Sequence, residues 1–194
     1  MMLKDLLQSC RSYRSFDPAC KVSEDTLRTL VDAARFTAST INLQVLKFRP
    51  VTAQTECDGI RANTRWGTKV KDIIALPPKG HEAPAYLVIC TDRDVHPSAD
   101  TFLIDVGIAA EAIMLAATEM GLGGCMMSSF SKSELPKILA LPENLTPQLV
   151  LAIGKPDEKV VIDGPAPDGS VTYYRKDGVH VVQKRNLDDL IIKK

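Results

Sequence analysis

The sequence predicts an α+β protein, and three observations carry this prediction. Residues 85–91, "AYLVICT", form a short continuous apolar run, which is typical of a buried strand. Residues 101–120 are apolar on nearly every helical face, which is typical of a helix buried on most sides, inside a domain or against a partner chain. Residues 23–36 place apolar side chains at helical spacing on one face only. Helical and strand patterns therefore occur in the same chain.

In chain order, the first clear helix begins after Ser23, a typical N-cap, and runs through "EDTLRTLVDAARF". A polar loop, "STINLQ" at 39–44, follows it. Residues 47–53 predict a strand, and Pro50 places that strand at the edge of a sheet. Residues 55–83 fit no single pattern.

The long apolar helix at 101–120 ends at Gly121, which is a typical C-cap. Two more strands and a helix between them are predicted at 124–130, 148–154 and 131–141. Beyond Lys155 the chain is rich in proline, glycine and aspartate, and it closes with an extended run and a short helix capped by Asn186. We expect this tail to wrap around another part of the protein.

Length and composition restrict the class of protein. A chain of 194 residues with 45% hydrophobic content predicts one globular domain over residues 1–194. The 24 basic and 24 acidic residues balance, so there is no overall field to attract nucleic acid or an anionic membrane. The N-terminus lacks a secretory pattern, and carboxylates interrupt the apolar run at 102–120. We expect a soluble, cytoplasmic protein that binds neither nucleic acid nor membranes.

The cysteines and histidines form no recognisable metal or disulfide pattern. The five cysteines are widely separated without a C-x-x-C pair, and the three histidines lack H-x-x-x-H spacing. Cys125 lies beside Met126 and Met127, so we expect it in the core rather than as a nucleophile. The sequence therefore predicts reduced, packed thiols and no metal site.

The stretch "CRSYRSF" near the N-terminus concentrates arginine and serine side chains. A solvated surface turn is one explanation of this composition. The other is a phosphate clamp formed by Arg11, Ser12 and Arg14. A guanidinium group donates bidentate hydrogen bonds to phosphate oxygens, and serine hydroxyls add further donors.

The C-terminal tail carries a second basic pair, Lys184 and Arg185. By themselves these residues fit a solvated face. Together with the first cluster, they could close over the same phosphate.

The loop at 39–44 contains two amides, Asn42 and Gln44, at i and i+2. In extended backbone both would project to the same side. Their donors and acceptors complement a ring edge that alternates C=O and N–H, such as a flavin or a nucleobase. An ordinary loop with two amides explains the pattern equally well.

The segment "GLGGC" at 121–125 contains G-x-G but is not a dinucleotide fingerprint. That motif follows a strand and opens a helix, whereas here a helix precedes and a strand follows. A helix cap and tight turn explain Gly121. Gly123 and Gly124 could also allow a flat ligand to approach the backbone.

Taken in order, these pieces resemble the nitroreductase family of FMN-dependent oxidoreductases. The resemblance rests on "CRSYRSF", "STINLQVL", the long helix that ends in "GLGG", and "IGKPDE" with "QKRNLDDLI". It spans nearly the whole chain. Cys10 stands where the family usually has its first arginine, and Val45 and Leu46 replace a common Pro-Trp pair.

The resemblance implies a central mixed or antiparallel sheet flanked by helices around the long buried helix, in a homodimer with FMN at the interface. It places Arg11, Ser12 and Arg14 on the flavin phosphate, with Lys184 or Arg185 arriving from the tail. Ser39, Asn42 and Gln44 would contact the flavin ring. Gly123 and Gly124 bring the candidate cofactor contacts to ten.

The implied activity is hydride transfer from NADH or NADPH, through FMN, to a small electron-poor acceptor such as a nitro compound or a quinone. No catalytic side chain is implied, because the flavin carries the chemistry. Two alternatives stay open: a flavin-binding protein of this fold without reductase activity, and a globular protein whose charged clusters are ordinary surface. The cysteine at position 10 predicts weaker phosphate binding unless the basic tail compensates.

Overall fold

The computed structural model describes residues 2–67 and 75–193. Contacts divide the chain into two compact units, residues 1–156 and 157–194. The expectation of a single domain over 1–194 stays a prediction. In the described part of the chain, no helix is both long enough and apolar enough to cross a membrane.

The first unit contains a four-stranded sheet and helices on both of its faces. Its described helices are α1 (Leu3–Ser9), α2 (Glu24–Arg35), α3 (Gln54–Ala62), α4 (Leu103–Glu119) and α5 (Leu135–Ile138). Its described strands are β1 (Leu46–Val51), β2 (Ala85–Asp92), β3 (Gly123–Met127) and β4 (Leu145–Gly154). Short 3₁₀ turns lie at Thr40–Asn42 and Ala99–Thr101.

The sheet has the order β1-β2-β4-β3, and every neighbouring pair is antiparallel. The predicted α+β class with an antiparallel sheet flanked by helices is confirmed. Strand β1 lies at an edge, as Pro50 predicts, because proline cannot donate to a second neighbouring strand.

Strand β2 is buried along its whole length because helices cover both faces of the sheet. Leu87 and Ile89 pack in the core layer that contains α2 and α4. Tyr86 and Val88 point to the opposite face and pack in the layer that contains residues of α3 and α5. This alternation is the period-two geometry of a strand, and burial on both faces explains the continuous apolar run "AYLVIC".

Helix α4 ends in a Schellman motif at Gly121, whose φ is +74°. The Leu122 N–H donates to the Ala117 carbonyl, and the Gly121 N–H donates to the Thr118 carbonyl. The predicted glycine C-cap is therefore confirmed.

Helix α4 is less buried within one chain than its sequence predicts. Leu103, Ile104 and Ile108 are 56%, 77% and 39% exposed. The sheet and α2 cover only one side of the helix, since an α-helix packed on one sheet face turns its other residues outward. An apolar face that begins at the first turn of α4 is thus left exposed by the first unit.

Other element boundaries also shift. The predicted helix at 131–141 is regular only over Leu135–Ile138, and the residues before it form turns in which the Ser131 hydroxyl accepts from the Glu134 N–H at 3.3 Å. Strand β4 begins at Leu145 rather than at 148. Helix α3 begins at Gln54 and lies almost entirely within residues 55–83, for which the sequence predicted no element. Residues 68–74 of that range lie outside the described residues.

The second unit contains a small sheet of order β5-β7-β6. Its strands are β5 (Val160–Asp163), β6 (Tyr174–Lys176) and β7 (Val179–Gln183). Arg175 and Glu158 form an ion pair within this unit. The predicted short C-terminal helix is a 3₁₀ turn, Leu187–Asp189, preceded by Asn186 as expected.

Candidate functional site

The predicted phosphate clamp lies beside the outer edge of β3. Ser12 forms a parallel bridge with Gly124, and the Tyr13 N–H donates to the Gly124 carbonyl at 2.8 Å. This pairing continues the sheet by one short segment, so the backbone between Arg11 and Arg14 has a fixed path.

The two arginines of the clamp use part of their donor capacity within the chain. The Arg11 Nη2 donates to the Leu7 carbonyl at 2.7 Å, which caps the last turn of α1. The Arg11 Nε is buried and has no hydrogen-bond acceptor among the described residues. The Arg14 Nη1 donates to the Ser12 carbonyl at 3.3 Å, and the Ser12 side chain is exposed. Buried donors normally have acceptors, so the Arg11 Nε indicates a place where an anion would fit.

The structure buries Cys10, the residue that stands where the family usually has its first arginine, and its effect on phosphate binding stays a prediction. Cys10 is 8% exposed and packs in the core layer that includes α2 and α4. Burial raises the pKa of its thiol, with smaller effects from Thr118, Glu111 and Arg11. The side chain, at the C-cap of α1, therefore faces the core.

We expect the substitution Cys10→Arg to destabilise the first unit instead of tightening phosphate binding. A guanidinium at this position would have to enter the core layer in which Cys10 packs or distort α1, which predicts a loss of about 2–4 kcal/mol in the free energy of unfolding. Urea denaturation of the full chain measures this loss. Cys20→Arg, at a partly exposed position, is the matched control and should change stability by less than about 1 kcal/mol. Unchanged stability together with tighter FMN binding would restore the clamp interpretation.

Packing alone accounts for the two glycines of "GLGG". A Cβ on Gly124 would lie 1.9 Å from the Ala152 carbonyl oxygen, and one on Gly123 would lie 2.6 Å from the Tyr13 ring. Both residues are buried. Their contact with a flat ligand stays a prediction.

The loop at 39–44 brings Asn42 and Gln44 together, but not in the extended conformation expected. Residues Thr40–Asn42 form a 3₁₀ turn, and φ is +44° at Ile41, +56° at Asn42 and +52° at Gln44. Asparagine tolerates this left-handed region better than most residues, whereas a β-branched isoleucine is unusual there. The Gln44 Nε2 donates to the Asn42 Oδ1 at 3.2 Å, so the two amides are neighbours on an exposed surface.

A groove of about 610 Å³ lies between α2 and β1 and reaches this loop. Ser39 and Gln44 line it together with Lys47, Phe48 and Asp105. The Ser39 hydroxyl oxygen is buried and has no hydrogen-bond partner among the described residues. The groove therefore combines the apolar Phe48 with charged side chains and the Ser39 hydroxyl.

Sequence reasoning missed Asp105, which joins the loop to α4. Its carboxylate accepts from the Thr40 N–H and from the Thr40 hydroxyl, the latter at 2.7 Å. The available signal was the presence of a carboxylate in an otherwise apolar helix. It was used only as evidence against a membrane span.

The clamp and the amide loop lie at opposite corners of the sheet. The clamp borders β3 at the end where Gly123 pairs with Gly154, and the loop enters β1 at Leu46, which pairs with Thr91 at the other end. Strand spacing of about 4.8 Å and a rise of about 3.4 Å per residue place these corners roughly 30 Å apart. The two groups of candidate residues in one chain are therefore not brought together.

Lys184 and Arg185 belong to the second unit. Both are exposed and directly follow β7, and the Lys184 N–H donates to the Asp163 carbonyl at 2.8 Å. Their contact with the same phosphate as Arg11 and Arg14 stays a prediction.

The fold and the arrangement of these segments define an α+β protein with candidate anion and amide sites on an antiparallel sheet. The nitroreductase family model matches residues 7–155, and the chain belongs to this family. Two relatives have similar sequences. The NADPH-flavin oxidoreductase of Vibrio harveyi is 25% identical and aligns with 93% of this chain and 74% of the relative. A protein of Methanothermobacter thermautotrophicus, named putative NADH dehydrogenase/NAD(P)H nitroreductase, is 24% identical and aligns with 81% of this chain and 79% of the relative.

Solved structures share the fold. A nitroreductase family protein from Streptococcus pneumoniae has a TM-score of 0.71 at 18% identity, with all of both chains covered. The NADPH:FMN oxidoreductase from Vibrio harveyi complexed with NAD+ has a TM-score of 0.67 at 23% identity, covering 96% of this chain and 80% of that one. An FMN-dependent nitroreductase from Clostridium difficile has a TM-score of 0.66 at 22% identity, covering 81% and 89%.

Proposed function

We propose that this chain is an FMN-dependent oxidoreductase that uses NADH or NADPH to reduce a small electron-poor acceptor, such as a nitro compound or a quinone. The observation that carries the proposal is the fixed clamp of Arg11, Ser12 and Arg14 at the edge of β3 in a nitroreductase fold. The flavin-related names of the relatives support the same cofactor.

The chemistry of the clamp fits a phosphate monoester. The buried Arg11 Nε has no acceptor in the part of the chain that the structure describes, and the exposed Ser12 hydroxyl adds a short-range donor. The bridge between Ser12 and Gly124 fixes the backbone that carries these donors, which lowers the entropy lost on binding. An FMN phosphate would accept hydrogen bonds from Arg11, Ser12 and Arg14.

The amide loop fits the edge of a flavin ring. On an exposed surface, the Gln44 Nε2 donates to the Asn42 Oδ1 at 3.2 Å. The Ser39 hydroxyl, in the same loop, has no hydrogen-bond partner among the described residues. These groups supply both donors and acceptors, which the pyrimidine side of the ring requires. When bound, FMN would supply the hydride chemistry, and these side chains would orient the ring and adjust its electron affinity.

We further propose that the protein is a homodimer in which one chain supplies the clamp and the other supplies the amide loop. Corners roughly 30 Å apart are too distant for one FMN molecule to contact both within a chain. The exposed apolar residues Leu103, Ile104 and Ile108 of α4 give a second copy a surface to cover. Asp105 and Thr40 link this helix face to the loop, so an interface on α4 would lie next to the ring contacts.

Purified full-length protein should be yellow or bind added FMN at about one per chain, and anaerobic NADH or NADPH should bleach the flavin. Riboflavin is the matched control ligand, because it lacks the phosphate. It should bind at least about tenfold more weakly, given the cost of leaving charged donors unpaired. Absorbance and fluorescence titration measure both results. A protein that takes up no FMN contradicts the proposal, and bound FMN that neither nucleotide reduces supports a flavin-binding protein without reductase activity.

A further inference from the structure

Asp105 is a buried carboxylate in an apolar helix. It is 2% exposed and lies in the first turn of α4, between the exposed Ile104 and the buried Val106. Burying a carboxylate is unfavourable unless hydrogen bonds replace its water. The first turn of a helix favours a negative charge, but only part of the lost hydration is recovered in this way.

Within residues 2–67 and 75–193, the side-chain hydrogen bonds that Asp105 accepts all come from Thr40. The Thr40 N–H lies 3.2 Å from the Asp105 Oδ1 and 3.0 Å from Oδ2, and the Thr40 hydroxyl donates to Oδ1 at 2.7 Å. Hydrogen bonds to a charged acceptor are the stronger kind in proteins. Both donors of Thr40 therefore end on the same carboxylate, which fixes the start of the 3₁₀ turn relative to α4.

The backbone that follows Thr40 needs such an anchor. Ile41, Asn42 and Gln44 all have left-handed φ values, which are unfavourable for residues other than glycine. Strained conformations of this kind persist only where surrounding contacts hold them. Within residues 39–44, the other hydrogen bonds of the described structure are local: Asn42 N–H to the Ser39 carbonyl, Leu43 N–H to the Thr40 carbonyl, and Gln44 to Asn42.

All hydrogen bonds that tie residues 39–44 to a distant part of the described chain end on Asp105. The next residue, Val45, is held separately, because its carbonyl accepts from the Asp92 N–H at 2.9 Å. The segment is thus fixed at one end by α4 and at the other by the sheet. The left-handed residues lie between these two points.

We propose that Asp105, through Thr40, is the positioning residue of this loop: it holds Ile41, Asn42 and Gln44 in the left-handed conformation and so sets where the Asn42 and Gln44 amides lie. The consequence for FMN rests on the proposed function. The anchoring itself does not, because it can be measured without flavin.

The first experiment measures amide hydrogen exchange of the flavin-free full chain. Thr40→Val removes the hydroxyl but keeps the shape and the N–H, and we expect peptides that cover 40–44 to exchange about tenfold faster or more, since a hydrogen bond to a charged group is lost. Thr40→Ser restores the hydroxyl and should exchange as the wild type does. Thr29→Val is the matched control, because Thr29 is exposed on α2 and its hydroxyl donates to the Asp25 carbonyl of the same helix. Asp105→Ala, which removes both acceptor oxygens of Thr40, should exceed the effect of Thr40→Val.

The second experiment uses FMN as the probe. Thr40→Val should shift the reduction potential of bound FMN in the same direction as Gln44→Ala, while the Kd for FMN changes by less than about threefold, because the phosphate contacts are elsewhere. Thr40→Ser should give the wild-type potential.

Unchanged exchange at 40–44 in Thr40→Val overturns the anchoring. Faster exchange in a protein whose wild type binds no FMN supports the anchoring and overturns the proposed function. Faster exchange with an unchanged potential overturns the positioning role toward the flavin.

Discussion

Gly124→Ala should destabilise the first unit by about 3 kcal/mol or more in the free energy of unfolding. The added Cβ would lie 1.9 Å from the Ala152 carbonyl oxygen and 3.1 Å from the Met114 side chain. Ala152 belongs to β4 in the interior of the sheet, so its carbonyl cannot move without breaking strand pairs. A backbone atom is much less able to give way than the end of a flexible side chain.

Urea denaturation, followed by circular dichroism at equal protein concentration, measures this loss. Gly164→Ala is the matched control, because a Cβ there meets no atom within 4 Å and its φ is not left-handed. It should change stability by less than about 0.5 kcal/mol. A stable Gly124→Ala protein would show that the clamp segment and β4 do not pack as described. Since Ser12 pairs with Gly124, we expect Gly124→Ala to lose FMN binding only because the protein unfolds, and not while it stays folded.

A mixed dimer of two different variants should bind one FMN, and the reduction potential of that FMN should equal the wild-type value. One chain carries Arg11→Ala with Arg14→Ala, and the other carries Gln44→Ala. The first change should weaken FMN binding by at least about 1.5–3 kcal/mol, the range for charged hydrogen bonds. The second should leave affinity closer to normal and shift the potential by about 10–30 mV, which corresponds to one ordinary hydrogen bond in a two-electron couple.

The two models of the site give opposite results in this mixed dimer. If each site combines the clamp of one chain with the loop of the other, the only intact clamp faces an unaltered Gln44. The dimer then binds one FMN with the wild-type potential. If each site lies within one chain, the intact clamp belongs to the chain with Gln44→Ala, and the bound FMN has the shifted potential.

Two different affinity tags, one on each chain, allow the mixed dimer to be isolated. FMN titration measures how many FMN molecules it binds, and equilibration with a redox dye measures the reduction potential of the bound FMN. The Gln44→Ala homodimer is the control that defines the shifted potential. A shifted potential in the mixed dimer contradicts the shared site, and a monomeric mass in light scattering with FMN bound contradicts the dimer. If the wild-type and Gln44→Ala homodimers had equal reduction potentials, the result would contradict a contact between Gln44 and the flavin ring.

Local sequence patterns determined much of the fold. The serine N-cap of α2, the glycine after α4, the edge position of the strand that contains Pro50 and the fully buried β2 were each predicted correctly, because each depends on backbone chemistry or periodicity within a few neighbouring residues. The clustering of arginine and serine near the N-terminus was likewise visible directly.

The contacts of these residues follow from the packing of the whole chain. It placed Cys10 in the core, gave Gly124 a packing role against Ala152, and put the clamp and the amide loop at opposite corners of the sheet. It also joined Asp105 to Thr40 across 65 residues of sequence and held the following residues in a left-handed conformation that no local preference for isoleucine would produce. Such contacts depend on strand order and helix packing, which arise from the whole chain and leave no fixed spacing in the sequence.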